Sequence, residues 1–159
     1  MPRNGAIQLL LVEDNPADVR LLKEAIRLWT TPHCIHVADD GVEAIDFLRR
    51  QANHAGAPRP DLVLLDINLP QRNGLDVLCE VKMDSELRDI AVIVFSSSAS
   101  SSDVNRAYEC HANCYISKPS DLDAFFDALR WVESFWLRTA TLAPPIAPGS
   151  GISDPDGAD

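Results

Sequence analysis

The chain has 159 residues, 46% of them hydrophobic, enough apolar material for one domain with its own core. Its formal net charge is −10 and its pI about 4.7, which argues against direct binding of DNA, RNA or an anionic membrane, since all need basic patches. No apolar run approaches the roughly 20 residues that span a bilayer, and MPRNGAIQ resembles no signal peptide, so a reducing cytoplasm is the expected compartment.

Short apolar runs alternate with helical patterns. Residues 7–12 read as a strand. Asn15 and Pro16 then open a helix, as N-cap and first helical position, with Val19, Leu22, Ile26 and Trp29 on its apolar stripe. A shorter strand at 34–37 leads through Asp39, Asp40 and Gly41 to a helix over about 42–50, followed by the polar loop QANHAGAPRP. Residues 62–65 form a third strand. Gly74 opens a helix carrying Leu75, Leu78 and Val81. Residues 90–95 are wholly apolar and rich in β-branched side chains, so this fourth strand is expected to be buried on both faces. After SSSASSSD comes a helix with Val104, Ala107 and Tyr108, then a short strand at 114–116. The last helix runs from Ser120 to about Arg138, with Ser120 and Asp123 resembling a capping box.

Five strands alternating with five helices imply an α/β fold with a doubly wound, five-stranded parallel sheet. Residues 1–142 form the expected domain. Residues 143–159, rich in Pro, Gly and Asp, read as a flexible tail. The four cysteines (Cys34, Cys79, Cys110 and Cys114) read as buried structural thiols, because a disulfide pair suits a secreted chain. The spacing of Cys110, His111 and Cys114 matches no common zinc pattern.

The chemistry collects at strand ends, where open α/β sheets build their sites. LLLVEDNP delivers Glu13 and Asp14, DLVLLDINLP delivers Asp66, VIVFSSS delivers Ser96, and YISKP delivers Lys118. Each alone has a plain structural reading: a Glu-Asp pair is often a solvated turn or helix cap, and a lone Lys is usually at the surface. Together they make a magnesium and phosphoryl site. A carboxylate can be a nucleophile toward phosphorus, and converging carboxylates need a hard cation. Lys118 and Ser96 would then meet phosphoryl oxygens by electrostatic positioning.

Those motifs, in that order, resemble response-regulator receiver domains, and the match runs from about Ile7 to Arg138. The separations of 30 residues from Asp66 to Ser96 and 22 from Ser96 to Lys118 are similar to those of the single-domain chemotaxis regulator. The resemblance implies a flavodoxin-like (βα)5 receiver fold and a part in a two-component phosphorelay rather than an enzyme's. It implies Asp66 as acceptor of a phosphoryl group from a sensor histidine kinase. It implies Mg²⁺ held by Asp14, Asp66 and the Asn68 carbonyl, with Glu13 acting through a bound water. Ser96 and Lys118 would contact the phosphoryl group, and Tyr115 would be the aromatic switch. A narrower resemblance, carried by DNPAD, HAGAPRPDL, NGLDVLCEVK, NCYISKPSDLDAF and the terminal FW, is to small response regulators paired with phytochrome histidine kinases.

On the last helix, Leu122, Phe125, Phe126, Leu129 and Val132 are expected to face the sheet. Trp131, Phe135 and Trp136 are then in excess, which points to a homodimer through this helix. The segment after Leu142 is too short and polar to bury a core, so a separate downstream protein is expected to read the phosphorylated state. Three other readings compete. A haloacid-dehalogenase-like phosphohydrolase would want a second Asp where Asn68 stands. A flavodoxin-like redox domain would want a phosphate-cradling loop where Glu13 and Asp14 stand. A docking-only pseudo-receiver would lack part of the acidic and lysine set.

Overall fold

The computed structural model describes residues 5–144. The residues of the expected tail from 145 onward lie outside the described residues. Five strands alternate with five helices: β1 (Ile7–Val12), α1 (Pro16–Ile26), β2 (His33–Ala38), α2 (Gly41–Arg49), β3 (Leu62–Leu65), α3 (Gly74–Met83), β4 (Ala91–Ser96), α4 (Ser101–Glu109), β5 (Cys114–Ser117) and α5 (Leu122–Val132). The strands form one parallel sheet in the order β2-β1-β3-β4-β5.

Alternation along the strands builds two cores. Leu10, Val12, Val63, Leu65, Val92 and Val94 face one side, against Ala44, Ile45, Leu48, Leu75, Leu78 and Val81 of α2 and α3. Leu9, Leu11, Leu62, Leu64, Ile93 and Phe95 face the other, against Leu22 and Ile26 of α1 and Phe125, Leu129 and Val132 of α5. Every residue of β4 is buried, as expected of a strand covered on both faces.

Helix starts follow local chemistry. Asn15 Oδ1 accepts from the amides of Ala17 and Asp18, Asp40 caps Glu43, and Asn73 caps Leu75. The last helix departs from expectation. Its cap is Asp121, whose carboxylate accepts from the Ala124 amide, and not Ser120. The α-helical ladder ends at Val132 and continues as a π-helical turn over Glu133–Thr139. Leu122 lies in the first turn at 56% exposure instead of facing the sheet. Two bonds tie this end to the loop after α1: the Trp29 indole donates to the Leu129 carbonyl at 3.0 Å, and the Thr31 amide donates to Glu133 Oε2 at 2.8 Å.

The cysteine expectation is corrected. Cys79 of α3 and Cys110 at the end of α4 form a disulfide with Cα atoms 4.9 Å apart, within the range such bonds need. Cys34 is exposed, and Cys114 is half-buried on β5. The bond joins neighbouring helices whose packing the linear sequence does not display.

Candidate functional site

The sheet order reverses direction between β1 and β3, and their carboxyl ends open the crevice in which such folds place ligands. Register does the assembly. Val12 lies opposite Leu65, Leu65 opposite Val94, and Ser96 opposite Ser117. The residues just past those positions are therefore neighbours. The Asp66 amide donates to the Val12 carbonyl at 3.0 Å, and the Lys118 amide to the Ser96 carbonyl at 2.7 Å.

The turn after β3 is held tightly beneath the site. The Gly74 amide donates to the Ile67 carbonyl at 2.9 Å. A Cβ on Gly74 would lie 2.3 Å from the Asp66 carbonyl oxygen and 2.6 Å from Ile67 Cα, so only glycine fits. The Asn68 amide donates to Asp66 Oδ1 at 3.0 Å, which fixes the carboxylate's rotation.

Asp66 is buried and fully engaged. Ser96 Oγ donates to Asp66 Oδ1 at 3.1 Å, and Lys118 Nζ donates to Asp66 Oδ2 at 2.9 Å. The same ammonium donates to Glu13 Oε2 at 2.5 Å and to Asp18 Oδ2 at 3.0 Å. Among the described residues, Glu13, Asp14 and Asp66 form a group able to hold a metal ion, with one oxygen from each lying within 4.8 Å of the others. Glu13 and Asp66 are buried and Asp14 is exposed, so the group opens to solvent on one side.

These carboxylates hold one proton unequally. Burial pushes Glu13 up to about 7, the Asp66 hydrogen bond adds to this, and the Lys118 bond opposes it. Burial also acts to raise Asp66, yet the bonds from Lys118, Glu13 and the Asn68 amide outweigh it and hold Asp66 below the ordinary carboxylate range. Burial acts to lower Lys118, but Glu13 and Asp66 dominate and raise it. Asp66 is thus anionic at neutral pH, while Glu13 carries a proton in about half of the molecules. The donor set is all oxygen, the preference of hard divalent cations such as Mg²⁺.

Tyr115 is half-buried on β5. Its hydroxyl donates to the Ser98 carbonyl at 2.7 Å, and its amide donates to Tyr108 Oη at 3.2 Å. Ser98 in turn donates its amide to Ser96 Oγ at 3.3 Å and its hydroxyl to Asp103 at 2.5 Å. A chain of contacts therefore runs from Asp66 through Ser96 and Ser98 to Tyr115 and α4. Trp131, Phe135 and Trp136 lie far along the last helix. Trp131 (47% exposed) stacks on Phe135 (42% exposed) with centroids 5.4 Å apart, while Trp136 packs partly against the core.

Sequence reading quoted Asp18 only within DNPAD and gave it no role at the site. It lies in the first turn of α1, three residues after the N-cap Asn15, where the helix start turns it toward the strand ends.

A five-stranded (βα)5 sheet whose strand ends carry this acidic, hydroxyl and lysine set defines a receiver-type signalling domain. The response regulator receiver domain family matches residues 9–130, and the chain belongs to that family. Response regulator Rcp1 of Synechocystis is 42% identical over 134 residues, 84% of this chain and 91% of that protein. The crystal structure of the phosphorylated cyanobacterial phytochrome response regulator RcpA superposes with a TM-score of 0.85 at 44% identity, covering 88% of this chain and all of that one. The Mn²⁺-bound form of Rcp1 superposes with a TM-score of 0.83 at 41% identity, covering 87% of this chain and 99% of that one.

Proposed function

We propose that the protein is a phosphorelay response regulator that accepts a phosphoryl group on Asp66 from a phytochrome-type sensor histidine kinase. The carrying observation is the convergence of Ser96 Oγ and Lys118 Nζ on the two oxygens of the Asp66 carboxylate, beside Glu13 and Asp14. The phytochrome link is supported by likeness to RcpA, a phytochrome response regulator.

Glu13, Asp14 and Asp66, joined by the Asn68 carbonyl, would hold Mg²⁺, which neutralises charge on the phosphoryl oxygens. The chain's own residues do the rest. Lys118 and Ser96 leave their contacts with Asp66 for the phosphoryl oxygens. When Ser96 moves, the Ser98 amide loses its acceptor and the Ser98 carbonyl carries Tyr115 with it. That is a route from phosphate to the α4–β5 surface, where a kinase or a downstream protein would read it.

The exposed Trp131–Phe135 stack supports homodimer formation through the last helix, with Trp136 beside it. Light scattering at micromolar concentration, with and without a phosphoryl mimic, tests this, and a monomer in both states refutes it. For the main reading, intact mass is followed with acetyl phosphate, with and without Mg²⁺. A single phosphoryl adduct that needs Mg²⁺ and vanishes in Asp66→Asn is expected. Absence of any adduct from acetyl phosphate and from a purified phytochrome kinase would refute it.

A further inference from the structure

Asp18 is a site carboxylate outside the group that can hold a metal. Its Oδ2 lies 3.0 Å from Lys118 Nζ, on the first turn of α1. An ammonium has three donors, and here they go to Glu13, Asp18 and Asp66. Only Glu13 and Asp66 also belong to the metal-holding group. With a cation held there, the Glu13 and Asp66 oxygens would be shared with it and two of the lysine's donors would be freed. The third, on Asp18, would have no such competitor. Burial separates the two partners: the Lys118 side chain is 7% exposed and that of Asp18 is 32% exposed, so Asp18 holds the buried cation from the rim of the site.

We propose that Asp18 is a positioning residue that keeps hold of Lys118 after metal has bound, and thereby weakens retention of the phosphoryl group on Asp66. The inference rests on Asp66 being the phosphoacceptor. Two effects share one sign. Asp18 draws the ammonium toward α1 and away from the phosphoryl oxygens. Its own charge repels the phosphoryl anion across a short, half-buried gap, where screening is weak. In the transfer itself, an Asp66 oxygen attacks the phosphorus of acetyl phosphate, and the bond from phosphorus to the acetate oxygen breaks. Acetate leaves with the electron pair. In the loss step, water attacks the phosphorus, the Asp66 carboxylate departs, and inorganic phosphate and a proton are released. Asp18 touches neither reacting atom and acts through Lys118.

The probe is beryllofluoride, a phosphoryl mimic, titrated calorimetrically at saturating Mg²⁺ into the wild type, Asp18→Asn and Asp18→Glu. The Asn variant keeps an oxygen for the Lys118 hydrogen bond and removes only the charge. It is expected to bind beryllofluoride about 3- to 10-fold more tightly, the range for losing one half-buried like charge. Its phosphoryl-aspartate should last longer by a similar factor. Mg²⁺ alone should bind it about twofold more weakly, because one negative charge is gone. Asp18→Glu should restore wild-type values. A merely structural role would loosen both ligands together, so opposite shifts are the signature. Equal or weaker beryllofluoride binding by Asp18→Asn, with the wild type binding normally, would overturn the Asp18 inference alone. If the wild type binds no beryllofluoride with Mg²⁺, the phosphoacceptor reading falls and takes this one with it.

Discussion

Ser96 donates its hydroxyl to Asp66 across 30 residues of sequence, and it does so with no exposed surface of its own. The hydroxyl therefore sits where a phosphoryl oxygen on Asp66 would need a donor. Ser96→Ala removes that donor without disturbing the strand. Loss of one hydrogen bond to a charged group is worth about 1.5–3 kcal/mol, so phosphorylation by acetyl phosphate should slow by roughly 10- to 100-fold. Ser96→Thr keeps the hydroxyl and should stay near the wild-type rate. Initial rates from intact mass distinguish the two.

Metal binding should depend on pH through Glu13. With its value near 7 in the metal-free protein, Glu13 is largely protonated below neutrality, and Mg²⁺ must displace that proton. Calorimetry should show affinity falling as pH drops from 8 to 6, by up to about tenfold per unit below 7, with proton release on binding at pH 6. The stability sign is separate. Glu13 is raised above its unfolded value of 4.5, so its contribution to metal-free stability is fully present below 4.5 and is lost as pH rises through about 7. A flat affinity profile over that range would contradict the assignment of the proton to Glu13.

Lys118 is the cation that lets buried Glu13 and Asp66 coexist without metal. Lys118→Ala leaves them only a shared proton to offset their charge, a loss of up to about 3–5 kcal/mol for a broken buried pair. Thermal unfolding in EDTA should show the full drop. Added Mg²⁺ should recover much of it, because a second source of positive charge returns to the same oxygens. Equal losses in EDTA and Mg²⁺ would mean that Lys118 acts chiefly through packing.

The Cys79–Cys110 bond closes a loop of 31 residues and links α3 to the end of α4. Closing a loop of that size stabilises by about 3–4 kcal/mol on the chain-entropy account. Denaturant unfolding with and without dithiothreitol should differ by up to that amount. Cys79→Ser should unfold as the reduced wild type does and should not respond to the reductant.

The strand ends were legible because each ends an apolar run on a polar residue, and parallel register then forces those residues together. Asp66, Ser96 and Lys118 meet as their positions implied. What stayed hidden depends on geometry through space. Asp18 reaches Lys118 over 100 residues of separation, from a helix whose sequence shows only a good N-terminus. Cys79 and Cys110 are brought together by packing of α3 against α4, and no spacing rule encodes that. Leu122 has the apolar character of a core residue but falls in the first turn, before α5 reaches the sheet, so it is exposed. The helical pattern to Arg138 was readable, but its change to π geometry at Glu133 was not, since seven residues are too few turns for side-chain spacing to separate an i→i+5 ladder from an i→i+4 one.

The bonds from Trp29 to Leu129 and from Thr31 to Glu133 span 100 and 102 residues. They have a consequence for how the chain is made. β1 lies inside the sheet, yet one of its two covering layers includes α5, more than 100 residues further along the chain. A nascent chain can form the α2 and α3 side early, but its α1 side stays open until α5 has left the ribosome. Contacts so distant in sequence close slowly and late. A translation stall before Phe125 would therefore leave Leu9, Leu11 and Ile93 covered by α1 alone, without the Phe125, Leu129 and Val132 side chains that complete their layer.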